Sequence, residues 1–295
     1  MKSKVLVIGS KGFIGSNLVK HLELNGYDVW KCDISLESSP KYISINIQDT
    51  NFDDAFREIF DVCINCSGAA DVPASLKKPL HDFILNTDNV FKILDSIKSF
   101  SPDCKFINLS SAAVYGNPQA LPIKEDSQLA PVSPYGWHKL YAEQICREFH
   151  ENYNIRTISL RIFSAYGEGI RKQLLWDVYQ KSLLSDKVNF WGTGKETRDF
   201  IYIADLLQAI QVVIEHAEFD GTAINVANGE ETLVETVVSQ TLQQLKWQGE
   251  YFFTGEKRKG DPTRWLANID NLLSLGYKRK YSFEQGVENY CQWLK

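Results

Sequence analysis

The sequence contains no long hydrophobic run. Nowhere does it have the roughly 18 consecutive apolar residues that a helix needs to span a bilayer. The one early apolar stretch, Val5 to Ile8, ends at once in Gly9, Ser10 and Lys11, and it is too short for the core of a signal peptide. We therefore expect neither a membrane span nor a secretory signal.

An excess of positive charge is also missing. The 295 residues include 32 Lys and Arg against 37 Asp and Glu, which gives a formal net charge of −5. Proteins that bind nucleic acids or anionic membranes present basic surfaces to them. The composition therefore argues against nucleic acid and against a membrane as partners.

Cysteine and histidine are few and scattered. Six cysteines without a secretory signal are typical of reduced thiols in the cytoplasm. The five histidines have no cysteine or carboxylate at the spacing of metal ligands, so we expect no metal site. His138 is interpreted as a residue of a helix surface.

Short apolar runs alternate with amphipathic segments in the first half of the chain. The predicted strands are 4–8, 28–32, 42–47, 62–67, 105–110 and 157–162, and the predicted helices are 16–25, 51–60, 80–100 and 135–153. Six apolar side chains of the helix at 80–100 are expected to face the core: Phe83, Ile84, Val90, Phe91, Leu94 and Ile97. This alternation predicts an α/β protein with a doubly wound parallel sheet and helices on both faces.

A glycine-rich loop joins the first predicted strand to the first predicted helix. Gly9, Gly12 and Gly15 suit a tight turn, a close approach to a pyrophosphate and a close helix–strand contact. The helix N-terminus adds free N–H donors and the positive end of a dipole. Asp33 follows the second strand, where its carboxylate can accept hydrogen bonds from an adenosine ribose. Because this charge repels a 2′-phosphate and no arginine follows it, NAD is favoured over NADP.

After about residue 162 the alternation becomes less regular. The predicted helices are 174–184, 203–216, 233–244 and 282–294, and the predicted strands are 188–190, 223–226 and 251–253. We predict an NAD-binding domain over 1–165, which also receives a segment near 197–228. A smaller mixed α/β substrate domain is predicted over 166–295. The carboxyl ends of the strands are expected to face a cleft between the two.

A serine and a tyrosine–lysine pair supply candidate acid–base chemistry. Ser111 follows the fifth strand, and Tyr135 and Lys139 are one helical turn apart, so their side chains project from one face. An ammonium beside a phenol favours the phenolate and lowers the tyrosine pKa from about 10. Such a group suits proton transfer near neutral pH. Ser110 is a second candidate for the serine.

These motifs resemble those of the short-chain dehydrogenase/reductase superfamily, in the extended branch that acts on nucleotide sugars and includes the UDP-glucose 4-epimerases. The likeness covers essentially the whole chain. Besides the glycine loop and the Tyr-x-x-x-Lys pair, it rests on Ser-Ser-Ala-Ala-Val-Tyr-Gly at 110–116, Arg-x-Phe-x-x-Tyr-Gly at 161–167, Arg-Asp-Phe-Ile-Tyr at 198–202 and Arg-x-Gly-Asp at 258–261. It implies a Rossmann fold, NAD as the cofactor, and a homodimer formed through the helices at 80–100 and 135–153.

The resemblance also implies roles for individual residues. Tyr135, as the phenolate, would take the proton of a sugar hydroxyl while hydride leaves the same carbon for NAD. Ser111 would hydrogen-bond that oxygen; it is preferred to Ser110 because it lies four residues before Tyr115, as the catalytic Ser or Thr of the family does. Lys139 would hold the nicotinamide ribose. The implied cofactor-binding residues are Gly9, Gly12, Phe13, Ile14, Gly15, Asp33, Asn46, Ile47, Cys66, Ser67, Gly68, Asn86, Tyr135 and Lys139.

A nucleotide-diphosphate sugar also needs cations for its phosphates. Arg198 and Arg258 match family positions that contact the diphosphate, and a guanidinium suits phosphate oxygens. Ser164 stands where the family usually has Asn, and its shorter side chain puts that substrate contact in question. The implied substrate-binding residues are Ser111, Tyr135, Ser164, Arg198 and Arg258.

The sequence therefore predicts a cytoplasmic, NAD-dependent nucleotide-sugar 4-epimerase of polysaccharide biosynthesis, acting on a UDP-hexose or UDP-N-acetylhexosamine through a transient 4-keto sugar. A dehydratase is disfavoured, because Ala112 and Ala113 replace the Asp-Glu pair of nucleotide-sugar 4,6-dehydratases. A 4-ketoreductase of deoxysugar biosynthesis remains an alternative, although Asp33 argues against the NADPH it would usually need. A non-catalytic cofactor-sensing protein is a further alternative, but such proteins typically lose the Tyr/Lys pair.

Overall fold

The apolar runs of the first half form one central sheet. The computed structural model describes residues 2–46, 50–256 and 263–295. Its strands are β1 Lys4–Ile8, β2 Asp28–Asp33, β3 Tyr42–Ser44, β4 Val62–Asn65, β5 Lys105–Ser111, β6 Thr157–Ile162, β7 Ser164–Tyr166, β8 Lys187–Phe190, β9 Thr197–Tyr202, β10 Asp220–Val226, β11 Glu231–Leu233 and β12 Glu250–Phe253. The central sheet has the order β10-β6-β5-β4-β1-β2-β3, and its pairs from β3 to β6 are parallel. The predicted doubly wound Rossmann sheet is confirmed.

Helices connect these strands and continue into the second half. They are α1 Phe13–Leu24, α2 Val72–Lys77, α3 Pro79–Phe83, α4 Asn89–Phe100, α5 Pro134–Tyr153, α6 Gln173–Leu184, α7 Ile203–His216, α8 Val234–Gln244, α9 Asp270–Ser274 and α10 Phe283–Leu294. Within the described ranges, no helix is long and apolar enough to cross a membrane.

The long helix predicted at 80–100 is interrupted. A π-helical turn, Ile84–Asp88, separates α3 from α4. A π turn inserts one extra residue, so it rotates Phe83 and Ile84 away from the face that buries Val90. The prediction that Phe83 and Ile84 point inward is therefore wrong, since these residues are 37% and 38% exposed. The same prediction for Phe91, which lies beyond the π turn in α4, is also wrong, since Phe91 is 42% exposed.

Both faces of the central sheet are covered. On one face, Leu6 and Phe106 pack with residues of α4 and α5, including Cys146. On the other, α1 packs on β1 and β2. The end of α7 is tied to this side by a hydrogen bond from the Tyr27 hydroxyl to the Glu215 carboxylate, 2.6 Å long. Strands buried on both faces explain why their sequences are almost continuously apolar.

The chain divides into two compact units. The first consists of Met1–Gly116, Leu129–Ile162 and Ile210–Ile224, and the second of Asn117–Gln128, Phe163–Ala209 and Asn225–Lys295. The second unit contains the small sheets β11-β9-β7 and β12-β8. The predicted functional domains, 1–165 and 166–295, remain a prediction.

Candidate active site

The glycine loop lies between β1 and α1 and is fixed to the end of β2. The amides of Gly9 and Ser10 both donate to the Cys32 carbonyl, at 2.8 and 3.2 Å. Gly9 has a φ of +78°, and a Cβ there would lie 2.6 Å from the Ser67 amide nitrogen. Only glycine fits this close approach of two backbones. The structure thereby brings the loop and the residues after β4 together.

The loop continues directly into α1. Gly12 is the N-cap of α1 and carries no capping side chain, and its amide donates to the Gly9 carbonyl at 3.1 Å. Phe13, Ile14 and Gly15 form the first turn of the helix. The first N–H groups of such a turn have no intrahelical partners and suit an anion.

Asp33 ends β2 beside this loop. One carboxylate oxygen accepts the Lys11 amide and the other accepts the Ile34 amide, both at 2.8 Å. The carboxylate is therefore fixed, and each oxygen keeps a lone pair for a further donor. Asn46 follows Ile45, whose amide donates to the Asp33 carbonyl at 2.9 Å. Ile47, also predicted to contact the cofactor, lies outside the described residues.

A buried amide faces the turn after β4. Asn86 is 1% exposed, and neither atom of its amide has a hydrogen-bond partner within the described parts of the chain. A Cβ on Gly68 would lie 2.5 Å from the Asn86 Oδ1, so the two residues border one small space. Cys66 and Ser67 precede that glycine, and Ser67 hydrogen-bonds Asn65.

A buried polar group without partners is costly unless a ligand satisfies it. Asn86 is such a group. The turn that follows the glycine loop offers backbone N–H groups, and Asp33 offers a fixed hydrogen-bond acceptor. These residues fit a dinucleotide such as NAD. The π turn that carries Asn86 is itself of a kind often found at functional sites.

The three predicted catalytic residues lie together where β5 ends and α5 begins. Ser111 ends β5, and its hydroxyl lies close enough to the Tyr135 phenol to act on the pKa of that phenol. Lys139 donates from Nζ to the Leu109 carbonyl at 2.9 Å, with Nζ 6.0 Å from the centroid of the Tyr135 ring. Tyr135 and Lys139 are 8% and 6% exposed. Gly136 permits this arrangement, because a Cβ there would lie 2.6 Å from the Ala113 carbonyl oxygen.

Burial governs the protonation of this group. It raises the pKa of Tyr135 to about 12; the Ser111 hydroxyl opposes the rise and the Asp82 carboxylate adds to it. Burial also lowers the pKa of Lys139 to about 8, against the effects of Asp82 and Glu143. The prediction that the pKa of Tyr135 is lowered is therefore wrong, because the protein groups around it raise this pKa. Loss of hydration outweighs the distant ammonium.

The neighbouring Ser110 has a different partner. Its hydroxyl donates to Glu143 Oε1 at 2.5 Å, and Arg161 donates to Glu143 Oε2 at 2.8 Å. Arg161 also donates to the Tyr115 hydroxyl at 2.8 Å. All four side chains are buried. Of the two serines, Ser110 is engaged by Glu143 and Ser111 is the one that acts on the pKa of Tyr135, which favours the choice made from the sequence.

Glu143 was missed by the sequence reasoning, although a signal was present. It follows Lys139 by four residues, and so it lies on the same face of α5. Two successive residues of β5 thus hydrogen-bond side chains on two turns of one helix: Leu109 binds Lys139, and Ser110 binds Glu143. These contacts fix the position of the helix along the strand.

A buried histidine and aspartate make a hydrogen bond near the tyrosine. His138 Nδ1 lies 2.6 Å from Asp82 Oδ2, and the two residues are 9% and 3% exposed. The prediction that His138 lies on a helix surface is wrong. α5 packs against α3 on this side, so the histidine is covered by the helix that carries Asp82.

The predicted substrate residues of the second unit lie on adjacent strands. Ser164 starts β7 and is paired in register with Phe200 of β9, two residues after Arg198. The Arg198 guanidinium lies 5.6 Å from the centroid of the Trp265 ring and donates to the Thr197 carbonyl at 2.8 Å. Arg258 lies outside the described residues.

Asp199 fixes the backbone around that arginine. It is fully buried and accepts the amides of Asn228, Gly229 and Ala267 at 2.9, 3.0 and 3.2 Å. Burial raises its pKa to about 7, although these hydrogen bonds oppose the rise. The sequence motif drew attention to Arg198 alone. Asp199 is the residue that ties β9 to the two segments beside it.

Fold and site together define an NAD-dependent enzyme of the extended short-chain dehydrogenase/reductase type. The chain belongs to the NAD-dependent epimerase/dehydratase family, whose model matches residues 5–227. NAD, the cofactor predicted from the glycine loop and Asp33, is the cofactor of this family.

Similar proteins include several 4-epimerases. A UDP-glucose 4-epimerase of Azospirillum brasilense is 28% identical, over 96% of this chain and 89% of its own. The UDP-N-acetylglucosamine 4-epimerase of Methanobrevibacter ruminantium M1, solved with UDP-N-acetylmuramic acid, superposes with a TM-score of 0.86 at 26% identity, over 100% and 99% of the two chains. The UDP-glucuronic acid 4-epimerase of Bacillus cereus, solved with UDP-glucuronic acid and NAD, superposes with a TM-score of 0.89 at 26% identity, over 99% and 98%.

Proposed function

We propose that this protein is an NAD-dependent nucleotide-sugar 4-epimerase that acts on a UDP-hexose or UDP-N-acetylhexosamine through a transient 4-keto sugar. The observation that carries the proposal is the cluster of Ser111, Tyr135 and Lys139 beside a loop that fits NAD. The relatives named above are 4-epimerases of UDP-sugars, which supports the same reaction here.

Tyr135 is the proton-transfer group in this proposal. Its phenolate oxygen accepts the proton of the sugar 4-hydroxyl, and the phenol later returns that proton to O4 of the epimer. Ser111 donates a hydrogen bond to O4 as charge develops there. NAD, when bound, supplies the acceptor and then the donor of hydride at C4. The proton and the hydride are both returned, so one turnover changes only the configuration of the sugar.

The raised pKa of Tyr135 limits its ability to act as a base at neutral pH. A phenol with a pKa of about 12 is almost fully protonated at neutral pH. Tyr135 therefore needs additional positive charge nearby before it can act as a base, and an oxidised nicotinamide carries one. Lys139, which lies on the same helix face, adds positive charge in proportion to its protonated fraction. Bound NAD would supply such a charge, and Tyr135 would then hold or release the proton at its phenol oxygen.

The residues that we propose to bind the substrate are those named in the sequence analysis: Ser111, Tyr135, Ser164, Arg198 and Arg258. Arginine matches phosphate oxygens through paired N–H donors. The Trp265 ring against Arg198 restricts that guanidinium before any ligand arrives.

We further propose a homodimer and a cytoplasmic location, with a role in polysaccharide biosynthesis. Support for the homodimer comes from exposed apolar side chains on the helices that the sequence analysis assigned to it. They are Leu80, Phe83, Ile84, Phe91, Trp137 and Tyr141, between 37% and 71% exposed. Apolar surface gathered on neighbouring helices is typical of a surface that another protein covers.

The test is a screen of sugar nucleotides with the purified full-length chain. UDP-glucose, UDP-galactose, their N-acetylamino forms and UDP-glucuronic acid would each be incubated with it and the products separated by chromatography. Formation of the 4-epimer without net change in NADH absorbance supports the proposal. Net consumption of NADPH with a keto sugar would instead identify a 4-ketoreductase. Loss of a water from the sugar would identify a dehydratase.

A further inference from the structure

The glycine loop carries one cationic residue, Lys11. Its amide is bound to Asp33 Oδ2 at 2.8 Å, so the start of its side chain is fixed beside the carboxylate proposed to hold the adenosine ribose. The ammonium is not surrounded by solvent only. It forms an ion pair with Glu37, in the segment between β2 and β3.

Several contacts hold this ion pair in place. Ser39 donates from Oγ to Glu37 Oε1 at 2.8 Å, and the Lys11 ammonium lies 5.2 Å from the centroid of the Tyr42 ring. The pairing raises the pKa of Lys11 and lowers the pKa of Glu37, so both are charged at neutral pH. Lys31 adds a weaker positive influence on the same carboxylate.

Asp33 and Glu37 place two negative charges beside the glycine loop. Lys11 is paired with Glu37, and Lys31 acts on the same carboxylate more weakly. A 2′-phosphate at this place would need a cation. Lys11 is suitably placed, but to bind the phosphate it would have to leave Glu37, whose carboxylate would then lose its ion-pair partner close to the phosphate. A ribose with a free 2′-hydroxyl requires neither change.

We propose that Glu37 is a second determinant of cofactor choice, which disfavours NADP by pairing with the Lys11 ammonium. This inference rests on the proposed use of NAD. It differs from the assignment of Asp33, whose charge acts directly. Glu37 acts through a partner, so its effect exists only while Lys11 is present.

A double-mutant cycle separates these two modes of action. The full-length parent, Glu37→Gln, Lys11→Gln and the double variant would be dialysed to equilibrium against mixtures of NAD and NADP at about 0.1 M ionic strength. Chromatography of the bound nucleotides then gives the ratio of the two affinities. Glu23→Gln, which neutralises an exposed carboxylate of α1, is the matched control.

We expect Glu37→Gln to raise the affinity for NADP relative to NAD by about three- to ten-fold, since one surface cation becomes available for a phosphate. The gain should disappear in the Lys11→Gln background, and Glu23→Gln should leave the ratio unchanged. The gain should also shrink at high salt.

Two results would overturn the inference. One is an unchanged ratio in Glu37→Gln; the other is a gain of the same size without Lys11, which would mean that Glu37 acts through its own charge. A parent chain that binds NADP more tightly than NAD would instead contradict the proposed cofactor itself. Because the dialysis measures binding and not turnover, failure of the epimerase proposal in the substrate screen would leave this test intact.

Discussion

The charges around the catalytic residues and those around the glycine loop are arranged in opposite ways. Lys139, Glu143 and Arg161 are between 5% and 6% exposed and are held by hydrogen bonds from several elements. The side chains of Lys11 and Glu37 are 46% and 31% exposed. Breaking a buried pair leaves a charge without water or partner, whereas an exposed pair contributes about 0–1 kcal/mol. Burial thus makes the first group a determinant of geometry and leaves the second to adjust affinity.

The largest effect is expected at the buried tyrosine. Tyr135→Phe keeps the ring and removes the only proposed proton-transfer atom, so turnover should fall by about 100- to 10,000-fold. Steady-state rates with the best substrate of the screen measure this loss. Bound NAD, determined in a denatured extract, should stay near the parent level. Near-normal turnover would remove Tyr135 from the mechanism.

The next effect concerns stability. Glu143→Ala should lower the free energy of unfolding by about 3–5 kcal/mol, because it leaves the Arg161 guanidinium buried without its carboxylate. Urea unfolding of the two proteins measures the difference. Glu250→Ala is the exposed control, since it breaks the Lys187–Glu250 pair, whose side chains are 76% and 64% exposed. If both substitutions had the same small effect, burial would not distinguish the two kinds of pair.

A gain in stability is expected when the buried charge of Lys139 is removed. Burial lowers the pKa of Lys139 to about 8 from an ordinary value of 10.5. Because the folded-state pKa is the lower one, the penalty is complete below about pH 8 and is relieved as the pH rises toward 10.5. Lys139→Met should therefore stabilise the protein by about 1–2 kcal/mol at pH 7, after allowing for the lost hydrogen bond to Leu109.

Unfolding curves at pH 7 and near pH 10 test this expectation. The gain should be present at the lower pH and much smaller at the higher one, while turnover is lost at both. A loss of stability at pH 7 would contradict it and would show that the Leu109 hydrogen bond outweighs desolvation. Lys139→Arg, which keeps the charge, should give no gain.

Regular elements were predictable because their signal is local. The strand at 4–8 and the helix at 203–216 match β1 and α7 residue for residue, since the first is a short continuous apolar run and the second has a clear helical period. The helix predicted at 51–60 is only a 3-10 turn, Asp53–Arg57. Its apolar residues Ala55 and Phe56 are buried in the core beneath α4, so packing favours a short turn over the helix that the pattern indicated.

The motif residues of the candidate site were predictable from the sequence, but the burial of these residues was not. The spacing of Tyr135 and Lys139 gives their shared helix face, and the structure bears that out by placing both at the end of β5. The direction of the Tyr135 pKa shift depends on how completely water is excluded, which no local spacing reveals. Asp82 lies far away in sequence and reaches the site only through the packing of α3 against α5.

The smallest effect in this comparison is expected at the exposed end of the cofactor site. Asp33→Asn removes the charge and keeps one acceptor oxygen, so one of the two hydrogen bonds from the Lys11 and Ile34 amides can be retained and the other is lost. NAD binding should weaken by about three- to ten-fold through loss of a charge-assisted hydrogen bond to the ribose. NADP binding should weaken less or improve, because a repulsion is lost at the same time. Equilibrium dialysis measures both constants, and an equal loss for the two cofactors would show that Asp33 shapes the loop without contacting the ribose.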